Sequence, residues 1–124
     1  MKVGDSASLT RRYTPDDIAA FAGLAGVPPA SITHVPEPLI AALFSYLLGV
    51  ELPGSGTNYL KQELHFAGTP RLDEAVTATV AITRLRPDKH LCDLSTTLTG
   101  ADGHVLATGR ALVLVKDVAR SMKT

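Results

Sequence analysis

The chain has few of the residues that bring reactive chemistry or a strong electrostatic field with them. It contains one cysteine, no tryptophan, three tyrosines and three phenylalanines. The single Cys92 excludes an internal disulfide, and its alternation with Leu94 and Leu98 is typical of a small buried hydrophobe in a strand. Twelve basic and twelve acidic residues cancel. The sequence therefore carries no electrostatic footprint for nucleic acid or an anionic membrane.

Long apolar runs and leader signals are also missing. No apolar run reaches the roughly 20 residues that cross a bilayer, and the opening Met-Lys-Val-Gly-Asp lacks the apolar segment of a signal peptide. With one cysteine, this predicts a reducing, cytoplasmic setting. No pair among the four histidines has zinc-ligand spacing, so no metal site is expected. The length of 124 residues predicts one domain, residues 1–124.

The most apolar stretch present is Pro38–Gly49, which has the length of a helix. Its large side chains recur at the spacing of one wide helical face, and small residues occupy the other sides. The large residues are Leu39, Ile40, Leu43, Phe44, Leu47 and Leu48. A helix with apolar side chains on nearly all sides must be buried by other elements on nearly all sides, most simply by a sheet. Gly49 is predicted to end it.

Two elements are predicted before this central helix. Ser6–Tyr13 alternates loosely and indicates a first strand. Thr14 then opens a short helix, because it can cap the N-terminus and Pro15 suits the first helical position. Asp16 and Asp17 favour the positive end of the helix dipole, so they are predicted to cap rather than catalyse. The predicted buried face of this helix consists of Ile18, Phe21, Ala22 and Ala25.

Four stretches with the period of β-strands follow the central helix. The first three lie within residues 59–66, 76–82 and 91–98, and the last follows the Ala101–His104 turn and ends with Ala111–Val115. In the first of them, Leu60, Leu64 and Phe66 are predicted to share one face, opposite Tyr59. Consecutive strands joined by tight turns imply an antiparallel sheet, and the last run, apolar on both parities, is typical of a central strand. The pattern predicts an α+β hot-dog fold, a bent antiparallel sheet of about five strands wrapped around a central apolar helix.

The loop before the central helix, Val27–Pro38, contains four prolines and four polar side chains. The polar residues are Ser31, Thr33, His34 and Glu37. They lie near the N-terminus of the helix, where exposed amides can hold an anion or an oxyanion. An imidazole is a common general base, so His34 is a candidate for activating water, with Glu37 orienting it or acting itself. In the structural alternative, His34 is solvated in the loop and Glu37 only compensates the helix dipole.

Several stretches, in this order and spacing, resemble the MaoC-like (R)-specific enoyl-CoA hydratases over nearly the whole chain, from Val3 to Val115. They are Val3–Asp5, Ile18–Gly26, Ala41–Gly49, Leu52–Tyr59 and Gly109–Val115. The resemblance implies a hot-dog homodimer joined through sheet edges, with an acyl-thioester tunnel at the interface. It also implies hydration of trans-2-enoyl-CoA to the (R)-3-hydroxyacyl product, with the coenzyme A thioester as substrate and no further cofactor.

The departures from the family pattern fall on its catalytic positions. Val27 stands where the family has an aspartate, and Ile32 falls near the expected histidine. Pro36-Glu37-Pro38 replaces the family's His-Gly-Met. The resemblance therefore identifies a variant that lacks the usual Asp/His dyad. Ser45 carries over directly, to the serine that hydrogen-bonds the catalytic acid in the family, although a serine within a helix commonly bonds its own backbone.

The candidate catalytic residues are thus His34, Glu37 and Ser45. Substrate contacts are predicted for Pro38, Leu39, Tyr46 and Tyr59. The expected partner is an acyl-CoA or acyl-carrier-protein thioester, with a homodimer, or a heterodimer with an active hydratase, as the assembly. Two other functions are consistent with the sequence. One is a thioesterase that uses His34 or Glu37 to direct water at the carbonyl, and the other is a non-catalytic acyl-CoA-binding subunit.

Overall fold

The computed structural model describes residues 1–118, so residues 119–124 of the predicted domain lie outside the described part. Five strands and two helices make up the fold. In chain order they are β1 Ser6–Arg12, α1 Pro15–Ala25, α2 Glu37–Tyr46, β2 Asn58–Phe66, β3 Ala75–Arg86, β4 Leu91–Thr99 and β5 Val105–Leu114. Three-residue 3-10 turns at Pro29–Ser31 and Pro87–Lys89 belong to the connections.

The strands form one antiparallel sheet in the order β1-β3-β4-β5-β2. Its inner face packs on α2, and the two together form a single hydrophobic core. This is the predicted hot-dog arrangement. The last strand lies inside the sheet as expected, although only one of its parities is fully buried and Leu112 and Leu114 are half-buried. The two edge strands are β1 and β2, each of which has one neighbour.

Helix α1 begins as its sequence predicts. Thr14 accepts a hydrogen bond from the Asp17 backbone N–H at 3.2 Å, and the Asp17 carboxylate accepts one from the Thr14 N–H at 2.9 Å. Gly26 ends the helix in the left-handed conformation, with φ 72°. The predicted buried face is correct at Ile18 and Ala22 but wrong at Ala25, which is exposed, while Phe21 is half-buried. The helix packs on the core through its N-terminal half.

Helix α2 differs from its prediction at the C-terminal end. It begins at Glu37 with Pro38 in its first turn, but it does not stop at Gly49. The chain continues as a π-helical turn over Leu47–Glu51, and the Leu52 N–H donates to the Leu47 carbonyl at 2.8 Å. Gly49 keeps helical geometry here, so the prediction that it ends the helix is wrong. The π turn lets both Leu47 and Leu48 face the core, where both are fully buried.

One stripe of α2 is uncovered, which corrects the expectation that the helix is buried on nearly all sides. Pro38, Ala42 and Ser45 are exposed, Tyr46 is 48% exposed and Val50 is 54% exposed. Their spacing of three or four residues places them along one helical face. The sheet therefore covers only the opposite face of α2.

A β-bulge in β2 changes which side chains face the helix. Tyr59 pairs with Val113, but Lys61 pairs with Leu112, so Leu60 is the extra residue. Directly paired residues share a face of the sheet. Because Val113 and Ala111 are buried in the core, their partners Tyr59 and Gln62 both point to the helix side. The predicted parity, with Leu60 beside Leu64 and opposite Tyr59, is therefore wrong at its N-terminal end.

Candidate active site

The bulge brings Tyr59 of β2 close to Ser45 of α2, and the Ser45 hydroxyl lowers the pKa of the Tyr59 phenol. Both residues are accessible, Tyr59 at 40% of its surface, and Tyr59 belongs to the edge strand β2. Ser45 was predicted as a catalytic candidate and Tyr59 as a substrate contact, and the structure brings these two together. Ser45 thus has a side-chain partner, which the local sequence alone does not reveal.

The environment of Tyr59 keeps its hydroxyl protonated. Partial burial raises the pKa of Tyr59, and the hydrogen bond from Ser45 lowers it by a smaller amount. The shift upward from 10 means that Tyr59 keeps its proton at neutral pH. The region therefore offers a protonated phenol beside the Ser45 hydroxyl.

An open cavity of about 540 Å³ lies between β1 and α2. Its walls include Leu39 and Tyr46, two of the predicted substrate contacts, and the remaining lining residues come from both elements. These are Leu9, Thr10, Arg11, Tyr13, Ala42 and Leu43. Pro38, the other predicted contact on the helix, is exposed in the first turn of α2 and does not line this cavity. The predicted contacts thus divide between the cavity, the Ser45–Tyr59 pair and the helix start.

Tyr13 is the residue of this region that sequence reasoning missed. It is buried, and its hydroxyl donates to the Leu39 carbonyl oxygen at 3.2 Å, which ties the end of β1 to the first turn of α2. Arg11 lies over the Tyr13 ring, with its guanidinium carbon 5.1 Å from the ring centroid, and also pairs with Asp17 at 3.6 Å. The only sequence signal was that Tyr13 is the last residue of an alternating strand, which does not separate a core tyrosine from a surface one.

His34 and Glu37 lie at the other end of α2 from the Ser45–Tyr59 pair. The His34 Nδ1 is 2.8 Å from the Thr33 hydroxyl, and the His34 backbone bridges to Arg71. Within residues 1–118, no hydrogen bond joins His34 to Glu37. Glu37 precedes Ser45 by eight residues, about 12 Å along a helix, and helical side chains lean toward the N-terminus. One chain therefore does not bring these candidates to the Ser45–Tyr59 pair.

Other reactive groups contribute nothing to this region. In the part of the chain that the structure describes, no group of three or more His, Cys, Asp or Glu side chains is arranged to hold a metal ion. His65, His90 and His104 are exposed.

Up to residue 118, no helix is both long and apolar enough to cross a membrane. The region offers a phenolic hydroxyl at Tyr59 and a cavity, lined by α2 and β1, whose walls are mostly apolar.

Proteins of known function resemble this chain over nearly its whole length. An (R)-specific enoyl-CoA hydratase from Aeromonas caviae is 37% identical over 126 residues, which cover 91% of this chain and 94% of that protein. One from Rhodospirillum rubrum is 38% identical over 128 residues, covering 93% and 88%. The solved (R)-hydratase from Aeromonas caviae superposes with a TM-score of 0.82 at 36% identity, covering 91% of this chain and 96% of that one. No protein-family model matches the chain. The chain belongs to the (R)-specific enoyl-CoA hydratase family.

Proposed function

We propose that this protein binds acyl-CoA thioesters and adds water to trans-2-enoyl-CoA, giving the (R)-3-hydroxyacyl product. The observation that carries the proposal is the Ser45–Tyr59 pair, a protonated phenol beside a serine of the helix that also lines an apolar cavity, in a chain similar to hydratases over more than nine-tenths of its length. In this reaction the water oxygen bonds to C3, a proton is added at C2, and negative charge develops on the thioester oxygen. Donors held in place for that oxygen lower the barrier.

Tyr59 is the donor to the thioester oxygen in this proposal, and Ser45 is its positioning residue. His34 is the general base that takes a proton from water, and Glu37 orients it or acts on water itself. Because Glu37 and Ser45 are about 12 Å apart along α2, the proposal places His34 and Glu37 of one copy against the Ser45–Tyr59 pair of another. A complete site then needs two chains.

The assembly proposed is a homodimer joined through the β2 edges. This edge has no strand partner within residues 1–118, and Ser45 of the uncovered stripe interacts with Tyr59 on it. A two-fold antiparallel pairing centred near Gln62 sets Lys61 opposite Glu63 of a second copy, so the contact is self-complementary in charge. A heterodimer with an active hydratase chain would use the same edge.

The first experiment incubates the purified protein with trans-2-enoyl-CoA and with saturated acyl-CoA and follows products by mass. We expect the enoyl substrate to gain one water. Tyr59→Phe should lower kcat/KM about 100-fold because it removes a donor to the developing charge. Ser45→Ala should lower it about tenfold because the phenol loses its orientation. Ser55→Ala, in an exposed turn, is the matched control and should stay at wild-type activity. Equal activity of Tyr59→Phe and wild type would contradict the assigned donor.

Complementation tests whether two chains build one site. His34→Ala and Tyr59→Phe chains are each expected to be nearly inactive, and mixing them by refolding should restore about one quarter of wild-type activity. Recovery is expected because half of the dimers are mixed and each mixed dimer has one intact site. No recovery would contradict the shared site. Free coenzyme A as product would instead identify a thioesterase, and saturable binding without turnover would identify a non-catalytic acyl-CoA-binding subunit.

A further inference from the structure

The loop before α2 holds the backbone of His34 in place from either side. Ile32 is half-buried against the core and Val35 is buried in it. The Val35 N–H donates to the Pro70 carbonyl at 3.0 Å, and His34 itself forms an isolated antiparallel bridge with Arg71. The fold therefore sets where the His34 backbone lies, and only the orientation and protonation of its ring are left to its side-chain contacts.

The segment on the other side of this bridge is anchored in turn. The Arg71 Nε lies 3.6 Å from the Glu74 Oε2, and the Glu74 N–H donates to the Arg71 carbonyl at 3.3 Å. The Glu74 side chain is only 14% exposed, and the residue directly precedes β3. His34 is thus tied through Arg71 to the start of a strand in the middle of the fold.

Among the residues that the structure describes, the imidazole of His34 has one side-chain partner, the Thr33 hydroxyl. The Thr33 oxygen lies 2.8 Å from Nδ1. The nearby Ser31 hydroxyl donates instead to the Pro28 carbonyl at 2.6 Å, and within residues 1–118 Glu37 forms no hydrogen bond to the ring. Thr33 is therefore the group that decides how the ring is oriented and which nitrogen it presents.

The direction of the bond between Thr33 and His34 determines what the ring can do. If Thr33 donates, Nδ1 holds the lone pair and the neutral ring carries its proton on Nε2. If Thr33 accepts, Nδ1 carries the proton and Nε2 holds the lone pair. Only the second direction persists after Nε2 takes up a proton, because both nitrogens of the charged ring are donors. A base bonded in this way needs no reorientation during the reaction.

We propose that Thr33 is the positioning residue of His34: its oxygen accepts from Nδ1–H and so presents the Nε2 lone pair to water. This rests on the proposed function, in which His34 is the general base, and gives Thr33 the orienting role that Glu37 would otherwise have. The water proton moves to Nε2 while the water oxygen bonds to C3. The electron pair of the double bond moves toward the thioester oxygen, C2 then takes a proton from the imidazolium, and the ring ends as it began.

Nitrogen-15 NMR of the full-length protein, above the titration range of the ring, shows which nitrogen carries the proton whether or not the protein is active. His34→Gln identifies the signals of this ring among those of the four histidines. We expect Nδ1–H in wild type and in Thr33→Ser, which keeps the hydroxyl. In Thr33→Val the proton should shift toward Nε2, because no acceptor then holds it at Nδ1. Thr69→Val makes the same change at an exposed position of the neighbouring loop and should match wild type.

The same variants are then compared in the hydration of trans-2-enoyl-CoA. Thr33→Val should lower kcat about fivefold and leave KM within about twofold, because the base loses its orientation while substrate contacts are unchanged. Thr33→Ser should recover most of the lost kcat, and Thr69→Val should keep the wild-type values. A structural role of the loop would not produce this split between valine and serine at one position.

The outcomes separate the positioning role from the proposed function. If an active wild type carries the proton on Nε2, or if Thr33→Ser is as slow as Thr33→Val, the role of Thr33 is overturned and hydration stands. An equal loss of kcat in Thr69→Val would also overturn it, since loop packing would then be the cause. If the NMR result is as expected but the wild type forms no hydrated product, Thr33 orients His34 and the proposed function is wrong.

Discussion

At the scale of single residues, the sheet has its tightest backbone approach at Gly109 on β5. A Cβ at this position would collide with the carbonyl oxygen of Glu63 and press on the backbone of Leu64. Both neighbours are main-chain atoms of β2, which cannot move without disturbing the ladder that holds the edge strand. Gly23 offers the contrast, because a Cβ there meets nothing within 4 Å and the residue lies within α1.

Gly109→Ala and Gly23→Ala should therefore change stability in opposite directions. Gly109→Ala is expected to lower the free energy of unfolding by about 2 kcal/mol, as overpacking commonly does. Gly23→Ala is expected to raise it by about 1 kcal/mol, because alanine restricts the unfolded chain and favours helix. Urea unfolding followed by circular dichroism measures both. A Gly109→Ala protein as stable as wild type would show that β2 can shift away from β5.

Cys92 should be unreactive while the protein is folded. Its side chain is buried, and burial, reinforced by the neighbouring Asp93 carboxylate, raises the pKa of the thiol to about 12. The thiolate is the reactive form. An alkylating reagent at pH 8 is expected to modify the native protein very slowly and the urea-unfolded protein at once. Because the unfolded thiol ionises first, stability should also fall as pH rises above about 9. Rapid alkylation of Cys92 in the folded protein would contradict the burial of its side chain.

At the scale of elements, the N-terminal cap of α1 gives a measurable contribution. Thr14→Ala removes the side-chain oxygen that accepts from the Asp17 N–H and should cost about 1 kcal/mol of stability. Thr14→Ser keeps that oxygen and should recover most of the loss. If Thr14→Ser proves as unstable as Thr14→Ala, the effect comes from the lost methyl group rather than from the cap.

The same cap makes stability depend on pH at the acid end. The backbone N–H and hydroxyl of Thr14, with Arg11, lower the pKa of Asp17 below its usual 3.8. The stabilisation is therefore present above that value and is lost as pH falls through the pKa of the folded state. Between about pH 5 and pH 2, the melting temperature of Asp17→Asn should fall less steeply than that of wild type. A wild-type curve parallel to that of the variant would exclude this contribution.

Both helices and all five strands could be predicted because their signals are local. The Thr14-Pro15 opening, the apolar periodicity of α2 and the alternation of β3 and β4 each fit within a few residues of sequence. The π turn after Tyr46 and the bulge at Leu60 could not, because tertiary packing of Leu48 and the register against β5 select them. The Ser45–Tyr59 contact depends on that bulge, so sequence indicated both residues but not their pairing.

At the scale of the whole molecule, the edge strand β2 and one stripe of α2 both expose large apolar side chains. Leu60 is 55% exposed on β2, next to Tyr59, and the stripe of α2 exposes Tyr46 and Val50. Unpaired strand edges with apolar neighbours are commonly contact surfaces. A dimer that buried these side chains would cover the stripe of α2 that is exposed in a single chain.

Leu60→Lys should weaken the proposed dimer. A charge at this position opposes pairing of β2 with a second copy, while the exposed side chain leaves the monomer fold intact. Sedimentation at several protein concentrations is expected to show dimer for wild type and a shift toward monomer for the variant. Val105→Lys, at an exposed position on β5 away from this edge, is the control and should remain dimeric. A dimeric Leu60→Lys protein would direct attention to the β1 edge.

The bulge in β2 also sets which residues of the strand face the helix on either side of it. Residues after Leu60 follow one alternation of inside and outside, and those before it follow the opposite one. Deleting this single residue would let Lys61 follow Tyr59 directly, which gives one regular alternation with Tyr59 still opposite Val113 and facing the helix. A strand of the same length that paired Leu60 in a regular ladder, without the bulge, would instead carry the tyrosine on the outer surface.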